Sequence, residues 1–494
     1  MLAAEASSGG AISELASDRQ VVRLGTGVFR EGRLSTDAMN LACQVMSRMA
    51  EQYRSLDVLA VRAVGTSALR DASNQAEFLE RAEAILGTPV EVVSGLEEAR
   101  LVHLGVHARW PLPQHRVLIV DIGGGSAELI MGEHGHLTEA FSKPLGAVRL
   151  TELFLKSDPP DPKELARMQR YVQKRLLGPV ARFGQLKIDR MIATSATASA
   201  VVCAVNRVRR SHRDLADRQS ATAPQVRKLF KELCARNLAG RSRHTGIGPR
   251  RAEIVVAGVH VLSEIMEQLR VPRMYYSAAG VREGIIADLV HRKVGMEQVR
   301  LDLDQRRMVR ALGKRYGVTA PHARKVAELA AALFEGLHPL HRLPPERGRL
   351  LEAAAYLHNI GHFVNETRHH RHSMYLVANS DLAGFDNNER KIVANLCRYH
   401  RKSMPQVSHE GLQELGAQDR RAIVQLTPLL RLAVALDQSQ EQRVERLECI
   451  SGDESVEIRL YSGHDIDIEQ WHAQQVSGNF QEVYGLPLIV KVKR

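Results

Sequence analysis

Three features are scarce in this 494-residue sequence, and each scarcity excludes a class of protein. Phe, Trp and Tyr make up only 4% of the chain, too few to supply a surface that binds nucleic acid by stacking bases. The five cysteines are scattered without a CxxC pair, which argues against a structural zinc site and favours a reducing compartment. No apolar run is long enough to span a bilayer, and the first residues show no signal-peptide pattern. We therefore predict a cytoplasmic protein that does not associate with membranes.

Positive charge, in contrast, is abundant. The chain carries 68 Lys and Arg against 56 Asp and Glu, for a net charge of +12. Such a balance suits a polyanionic partner, such as nucleic acid, polyphosphate or a highly phosphorylated nucleotide, although it also serves general solubility. Specific nucleic-acid binding is the weakest of these options, because no recognition motif accompanies the charge. The length predicts two to four globular domains.

The segment RVLIVDIGGGSAELIMG, residues 116–132, carries the clearest local pattern. Residues 117–120 are apolar and mostly β-branched, which predicts a buried strand, and residues 126–131 predict a second strand. The three glycines between them, Gly123 to Gly125, leave a turn without side chains. Consecutive backbone N–H groups in such a turn can bind an anion. A plain glycine-rich hairpin is the alternative interpretation.

Two carboxylates shift this balance toward a phosphate site. Asp121 and Glu128 lie at the two ends of the glycine turn. Phosphate next to carboxylates requires a cation between them, and Mg²⁺ is the cation that proteins most often use for this purpose. The pattern therefore predicts a phosphate-binding hairpin with Asp121 and Glu128 as metal ligands.

Two further turns carry hydroxyl groups. A strand predicted over Val58–Ala63 leads into the turn Gly65–Arg70, and a strand over residues 191–193 leads into the turn Thr194–Thr197. The hydroxyls of the second turn can line another side of a phosphate cleft. They are equally typical of ordinary caps and turns.

Two adjacent glutamates open a predicted helix. Ser94 is a suitable N-cap, and Glu97 and Glu98 follow in or near the first helical turn. Acidic residues at this position usually interact with the helix dipole, which is the favoured interpretation of Glu97. For Glu98 a functional role stays open at this point.

The pattern divides the chain into four segments. Residues 1–113 and 114–294 each predict an α/β lobe, residues 295–440 predict a helical domain, and residues 441–494 predict a small α+β domain. Residues 1 to about 20 are small and polar, and we expect them to lack regular structure.

Taken together, these stretches resemble the exopolyphosphatase/guanosine pentaphosphate phosphohydrolase (Ppx/GppA) family. The matching segments are GTSALRDA (65–72), SGLEEARL (94–101), VDIGGGSAEL (120–129), RAEIVVAG (251–258), GVREG (280–284), LHNIGH (357–362), HHRHSMYLVANSDLAGF (369–385) and RYHRK (398–402). The resemblance implies two α/β lobes of the actin/Hsc70/sugar-kinase (ribonuclease H-like) type around a phosphate cleft. An all-α HD-like domain and a small α+β C-terminal domain would follow.

The resemblance also implies an activity and roles for particular residues. It implies Mg²⁺-dependent hydrolysis of the terminal phosphoanhydride of inorganic polyphosphate or pppGpp, in a homodimer. It assigns Glu98 as the general base, Arg70 as the arginine facing the substrate phosphates, and Asp121 and Glu128 as metal-site acids. The predicted phosphate-binding residues are Gly123, Gly124, Gly125 and Ser126, to which we add the hydroxyl residues Thr66, Ser67, Thr194 and Ser195.

Three departures from the family pattern bear on activity. The family opens with a strand and a DxGSNS-type loop, and no such loop precedes Gln20, so a misplaced start or a genuine truncation is expected. Ala196 stands where the family often has glycine. Asn359 stands where a working HD site has a metal-bridging aspartate, for which a neutral amide is a poor replacement. The remaining candidate ligands there are then favoured as structural remnants: His322, His358, His400 and Asp437.

These observations leave three functions open. The leading one is a phosphoanhydride hydrolase with its site between the two α/β lobes. The second is a catalytically impaired protein that only binds polyphosphate or pppGpp, because the first phosphate loop is missing. The third is an HD-type phosphohydrolase acting through His358, against which Asn359 argues.

Overall fold

The computed structural model describes residues 1–6, 12–291, 299–452 and 454–493. The chain forms two compact units, Met1–Val294 and Gly295–Arg494. The predicted domain boundary between residues 294 and 295 falls in a segment outside the described residues. Among the described residues, no helix combines the length and the apolar character that crossing a membrane requires.

The first unit contains a mixed order of strands and helices. Its elements are β1 (Leu2–Ala6), β2 (Ile12–Ser17), α1 (Val28–Glu31), α2 (Thr36–Arg54), β3 (Ala63–Gly65), α3 (Ser67–Asp71), α4 (Gln75–Leu86), β4 (Val90–Val92), α5 (Gly95–Arg109), β5 (Val117–Ile122), β6 (Ala127–Glu133), β7 (His136–Lys143), α6 (Ala147–Phe154), α7 (Pro162–Phe183), β8 (Arg190–Thr194), α8 (Ser195–Val205), a 3₁₀ helix (Arg210–Ala216), β9 (Ser220–Thr222), α9 (Ala223–Cys234), α10 (Leu238–Ser242), α11 (Pro249–Ala252), α12 (Val255–Gln268), β10 (Arg273–Tyr276) and α13 (Val281–His291).

A six-stranded sheet organises this unit, in the order β7-β6-β5-β8-β10-β9. Strand β5 is parallel to β8 and antiparallel to β6, so the predicted hairpin across the glycine turn is confirmed. Val117 and Ile119 pack with α5, whereas Leu118 and Val120 pack in the larger core with α7, α8 and α12. Both faces of β5 are therefore covered, which explains its continuous apolar sequence.

Two expectations for the N-terminal part were wrong. The first residues were expected to be irregular, but β1 and β2 pair as an antiparallel ribbon. The strand predicted over Val58–Ala63 is irregular up to Arg62, and β3 begins only at Ala63, pairing in parallel with β4. The exposed positions Leu59 and Val61 supply strand-forming side chains but no neighbouring strand, and propensity without a partner does not make a sheet.

The second unit is mainly helical. Its elements are α14 (Leu303–Arg315), α15 (Ala320–Gly336), α16 (His338–His341), α17 (Glu346–Leu357), a 3₁₀ helix (Ile360–Phe363), α18 (His369–Ala378), α19 (Asn387–Tyr399), α20 (Ala417–Ala435), β11 (Arg446–Ser451), β12 (Val456–Tyr461), α21 (Asp467–Gln475), α22 (Ser477–Tyr484) and β13 (Leu488–Lys493). Strand β12 is antiparallel to β11 and parallel to β13. Its inward residues, such as Ile458, share one core with helices α15, α17 and α20.

Candidate active site

Polar side chains form a row across one end of the six-stranded sheet. Asp121 on β5 is the cross-strand partner of Glu128 on β6 and of Thr194 on β8. Glu128 is in turn the partner of Ser142 on β7. Cross-strand partners point to the same face of a sheet, so the four side chains lie side by side. They lie on the face that packs against α5, because every second residue of a strand points to the same face and Asp121 follows Val117 and Ile119 at that spacing.

Burial makes the two carboxylates of this row electrostatically unusual. Asp121 and Glu128 are 7% and 1% exposed, and Oδ1 of Asp121 has no hydrogen-bond partner within the described residues. Burial and the nearby charge of Glu98 raise the pKa of Asp121 to about 7. Burial, with Glu98 and Asp121 as like charges, raises the pKa of Glu128 well above its usual value. Hydrogen bonds from the Ser142 and Ser126 hydroxyls offset part of this increase.

Helix α5 brings Glu98 to the same place. Ser94 caps the helix by accepting a hydrogen bond from the N–H of Glu97, which confirms the predicted cap. Gly95 allows the helix start to contact β7, since a Cβ atom there would lie 2.4 Å from Oγ of Ser142. Glu98 follows one turn later and is buried.

Arg70 is the positive partner of Glu98. Its Nη1 and Nη2 both donate to Oε2 of Glu98 at 3.1 Å, and Nη1 also donates to the carbonyl oxygen of Val93 at 2.7 Å. Burial raises the pKa of Glu98, and the charge and hydrogen bonds of Arg70 oppose that effect. The structure thus joins the two predicted catalytic residues directly.

The site thus contains three buried carboxylates, Glu98, Asp121 and Glu128, of which Glu98 is paired with Arg70. The charge of Glu98 raises the pKa of both Asp121 and Glu128, and Asp121 also raises that of Glu128. A divalent cation would relieve this repulsion between like charges. In the described part of the chain, no three His, Cys, Asp or Glu side chains are already arranged to hold a metal ion. Mg²⁺ commonly uses one or two carboxylates together with water and substrate phosphate, and the residues present fit that mode.

The glycine turn is more constrained than the sequence suggested. The N–H of Gly123 donates to the carbonyl oxygen of Ser126 at 3.0 Å, so it does not serve as the free anion donor that was expected. The carbonyl oxygens of Gly123 and Gly124 accept hydrogen bonds from the first N–H groups of α6. Within the described residues, the N–H groups of Gly124 and Gly125 donate to no backbone carbonyl. The potential anion site is thus reduced to these two groups.

Arg149 on α6 forms hydrogen bonds that join this turn to α3. The sequence analysis did not identify this residue. Its Nε donates to the carbonyl oxygen of Gly125 at 2.6 Å, and its Nη2 donates to Oγ of Ser67 at 3.2 Å and pairs with Asp71. A Cβ atom on Gly125 would lie 2.3 Å from Oγ of Ser67. Ser67 is therefore next to the turn, and phosphate binding by Ser67 and Thr66 stays a prediction. Thr66 precedes α3 without a side-chain capping bond.

The hydroxyl groups of the turn after β8 donate hydrogen bonds to backbone carbonyl oxygens. Thr194 donates to the carbonyl oxygen of Ala279, while Ser195 and Thr197 donate to that of Ile122 at 2.9 and 3.1 Å. These bonds hold β8 and α8 against the end of β5, which fits the alternative that these are turn residues. Phosphate binding by Thr194 and Ser195 stays a prediction.

A cleft of about 420 Å³ opens beside this row of residues. Asp121, Thr194 and Ser195 line one side of it. Basic side chains from three different segments line other parts: Arg19, Arg213 and Arg282. Two further acids, Asp18 and Glu283, also line the cleft, and Glu283 pairs with both Arg19 and Arg282. The lining therefore carries charges of both signs.

The second unit contains the histidines that were compared with an HD site. His322 and Asp437 are 2.7 Å apart at Nδ1 and Oδ2, and the ring of His358 lies 5.5 Å from that of His322 and 5.1 Å from that of His400. His369, which begins the matched segment 369–385, has its Nε2 3.2 Å from Nε2 of His400. Among the described residues of this unit, no group of three His, Cys, Asp or Glu side chains is arranged to hold a metal ion. That these residues are structural remnants stays a prediction.

Comparison with known proteins gives an independent assignment. The sequence model of the Ppx/GppA phosphatase family matches residues 3–293, and that of the Ppx/GppA phosphatase domain III matches residues 305–472. A guanosine-5'-triphosphate,3'-diphosphate pyrophosphatase from Vibrio vulnificus is 28% identical over 439 residues, which cover 88% of this chain and 84% of that protein.

Solved structures agree with this assignment. The crystal structure of an Aquifex aeolicus member of the Ppx/GppA family aligns with 59% of this chain and 94% of its own, at 28% identity and a TM-score of 0.52. An exopolyphosphatase from Cytophaga hutchinsonii aligns with 60% and 95%, at 24% identity and a TM-score of 0.55, and shares the fold. The resemblance seen in the sequence is confirmed: this chain belongs to the Ppx/GppA phosphatase family.

Proposed function

We propose that this chain hydrolyses the terminal phosphoanhydride of inorganic polyphosphate or of pppGpp by in-line attack of water. The observation that carries the proposal is the group of three buried carboxylates beside one arginine and a glycine turn. A phosphoanhydride requires its oxygens to be neutralised and a water to be aimed, with little covalent help from the protein. This group of residues provides both kinds of assistance.

Glu98 is the proposed general base. Burial raises the pKa of Glu98, which makes it a better proton acceptor than an ordinary carboxylate. The charge and hydrogen bonds of Arg70 act in the opposite direction and stabilise the ionised form. It takes the proton of the attacking water at its carboxylate oxygens. Arg70 is close enough to Glu98 to interact with the phosphate under attack as well.

Asp121 and Glu128 are the proposed ligands of a divalent cation, of which Mg²⁺ is the most suitable. When bound, the cation would neutralise charge on the phosphate oxygens. The protein's own contribution is to hold the two carboxylates in register across β5 and β6 and to surround them with Ser126 and Ser142. The N–H groups of Gly124 and Gly125 would orient the terminal phosphate.

Phosphate release from polyphosphate and from pppGpp tests the proposal. Glu98→Gln should lower kcat by about 100- to 10,000-fold, the usual contribution of a general base. Glu264→Gln is the matched control, because Glu264 is also buried but is held by glutamines, including Gln169 and Gln173. Release that is unchanged in Glu98→Gln contradicts the assignment of the base.

Further measurements test the metal requirement, the two alternative functions and the oligomeric state. Chelation should abolish phosphate release, and added Mg²⁺ should restore it.

Tight binding of either substrate without turnover by the wild-type protein would replace the hydrolase with the binding-only alternative. The HD-type alternative requires loss of activity in His358→Ala together with full activity in Glu98→Gln. A homodimer also stays a prediction, which sedimentation can test.

A further inference from the structure

The two adjacent glutamates of α5 face different surroundings. Successive helical residues are rotated by about 100°, so neighbours in sequence project from different sides. Glu98 contacts Arg70. Glu97 instead accepts two hydrogen bonds from Arg100, each 2.8 Å long. Glu97 therefore does more than interact with the helix dipole, the interpretation that the sequence favoured.

Glu97 belongs to a buried ionic network that centres on Asp288 of α13. Oδ1 of Asp288 is 2.7 Å from Nη2 of Arg100, and Oδ2 is 2.6 Å from Nη1 of Arg62. Arg62 also donates to Glu91 at 2.9 Å and lies 3.5 Å from Glu97. The side chains of Asp288, Arg62, Arg100 and Glu97 are all only 3 to 7% exposed.

The backbones around this network are also held closely. A Cβ atom on Gly284 of α13 would lie 1.7 Å from the carbonyl oxygen of Leu101 on α5. A Cβ atom on Gly105 of α5 would lie 2.2 Å from the carbonyl oxygen of Gly280. Helices α5 and α13 are therefore in backbone contact, with Asp288 one turn beyond Gly284.

The network connects to both members of the candidate catalytic pair. Glu97 is adjacent to Glu98 on α5. Arg62 directly precedes β3, which leads into α3 and Arg70. One carboxylate oxygen of Asp288 accepts from Arg100 on α5, and the other accepts from Arg62 next to β3. Asp288 therefore joins the segment that carries Glu98 to the segment that carries Arg70. Arg62 also reaches Glu97 at 3.5 Å, a longer contact than either bond of Asp288.

We infer that Asp288 is a positioning residue that sets the placement of Glu98 relative to Arg70. This inference rests on the proposed function, because it concerns the geometry of the proposed base. A misplacement of a catalytic group by about 1 Å can lower the rate roughly 100-fold. Asp288 touches neither reacting group and would act only through α5 and the segment that carries β3.

The experiment must separate positioning from stability, because breaking a buried ionic network destabilises a protein in any case. Asp288→Asn keeps the shape and removes the charge. At a temperature where circular dichroism shows the variant folded, we expect kcat to fall about 10- to 100-fold with KM changed less than about 3-fold. Asp288→Glu, which restores the charge, should recover a large part of kcat.

A double substitution gives the decisive readout. In the Glu98→Gln background, Asp288→Asn should cause no further fall in kcat, because the base that it positions is already absent. An equal fall in both backgrounds, or a folded Asp288→Asn with normal kcat, overturns the inference. Should Asp288→Asn not fold, Arg62→Lys serves in its place, since it keeps the charge and loses the forked contacts to Asp288 and Glu91.

Controls distinguish this inference from the proposed function. Asp158→Asn removes the carboxylate partner of another buried guanidinium, that of Arg241, outside the network, and should leave kcat unchanged. Full activity in Glu98→Gln alone contradicts the proposed base. Loss of activity in Glu98→Gln with normal activity in Asp288→Asn contradicts only the positioning role.

Discussion

Burial controls the charge of Asp121. Its carboxyl group lies on a sheet face covered by α5, one of its oxygens lacks a partner within the described residues, and its pKa is raised to about 7. In the unfolded chain the pKa is 3.8, so folding favours the protonated acid. The stabilisation from this group is fully present below about pH 4 and is lost as the pH rises toward 7.

Asp121→Asn should therefore stabilise the metal-free protein at pH 8 and not at pH 4. The gain in the free energy of unfolding is expected to be at most about 4 kcal/mol, because each pKa unit corresponds to about 1.4 kcal/mol. Urea denaturation of both proteins in chelator, at pH 4, 6 and 8, measures it. Added Mg²⁺ should stabilise the wild type at pH 8 more than the variant. A difference between the two proteins that does not change with pH contradicts this account.

At the scale of secondary-structure elements, the contact between α5 and α13 fixes the position of α5 and therefore of Glu98. The two helices approach until backbone meets backbone, which only glycine permits at Gly105 and Gly284. The close contact brings the charged residues of α5 within reach of Asp288. The position of the candidate base therefore depends on a helix that follows it by about 180 residues.

Gly284→Ala should destabilise the protein by about 1 to 3 kcal/mol, because its methyl group would overlap the backbone of Leu101. Gly478→Ala provides the control. Gly478 also lies in a helix, α22, but a Cβ atom there has no neighbouring atom within 4 Å beyond its own helix and chain neighbours, so this change should stabilise by at most about 1 kcal/mol. Chemical denaturation compares the two. Equal effects would show that the helix contact is looser than described.

At the scale of the whole chain, each unit has a hydrophobic core of its own. Leu118 and Leu262 lie in the core of the first unit, and Leu333 and Leu430 lie in the core of the second. A single domain usually unfolds in one cooperative transition, whereas a chain with several domains often does not. We therefore expect each unit to unfold in a transition of its own.

Calorimetry should accordingly resolve two transitions. Leu333→Ala, which removes a fully buried side chain, should lower one transition and cost about 2 to 5 kcal/mol. Leu118→Ala, equally buried, should lower the other. A single transition that both substitutions shift together would mean that the units unfold as one.

Prediction from the sequence succeeded where the interacting residues are close in the chain. The hairpin that pairs Asp121 with Glu128 spans a few residues, so apolar runs and three glycines were enough to identify it. The cap at Ser94 is equally local. The short strand near Ala63 was misplaced, because its limits depend on pairing with β4 rather than on its own residues.

The amino-acid sequence by itself determined the family, the hairpin, the acidic start of α5 and the identity of Arg70 and Glu98 as candidates. Tertiary structure alone decided that Arg149 holds Gly125 and Ser67 together, that Ser142 binds Glu128, and that Asp288 joins Arg62 to Arg100. The reason is physical. Local patterns express backbone preferences, whereas the charge state and placement of a buried side chain depend on neighbours that only chain folding brings into contact.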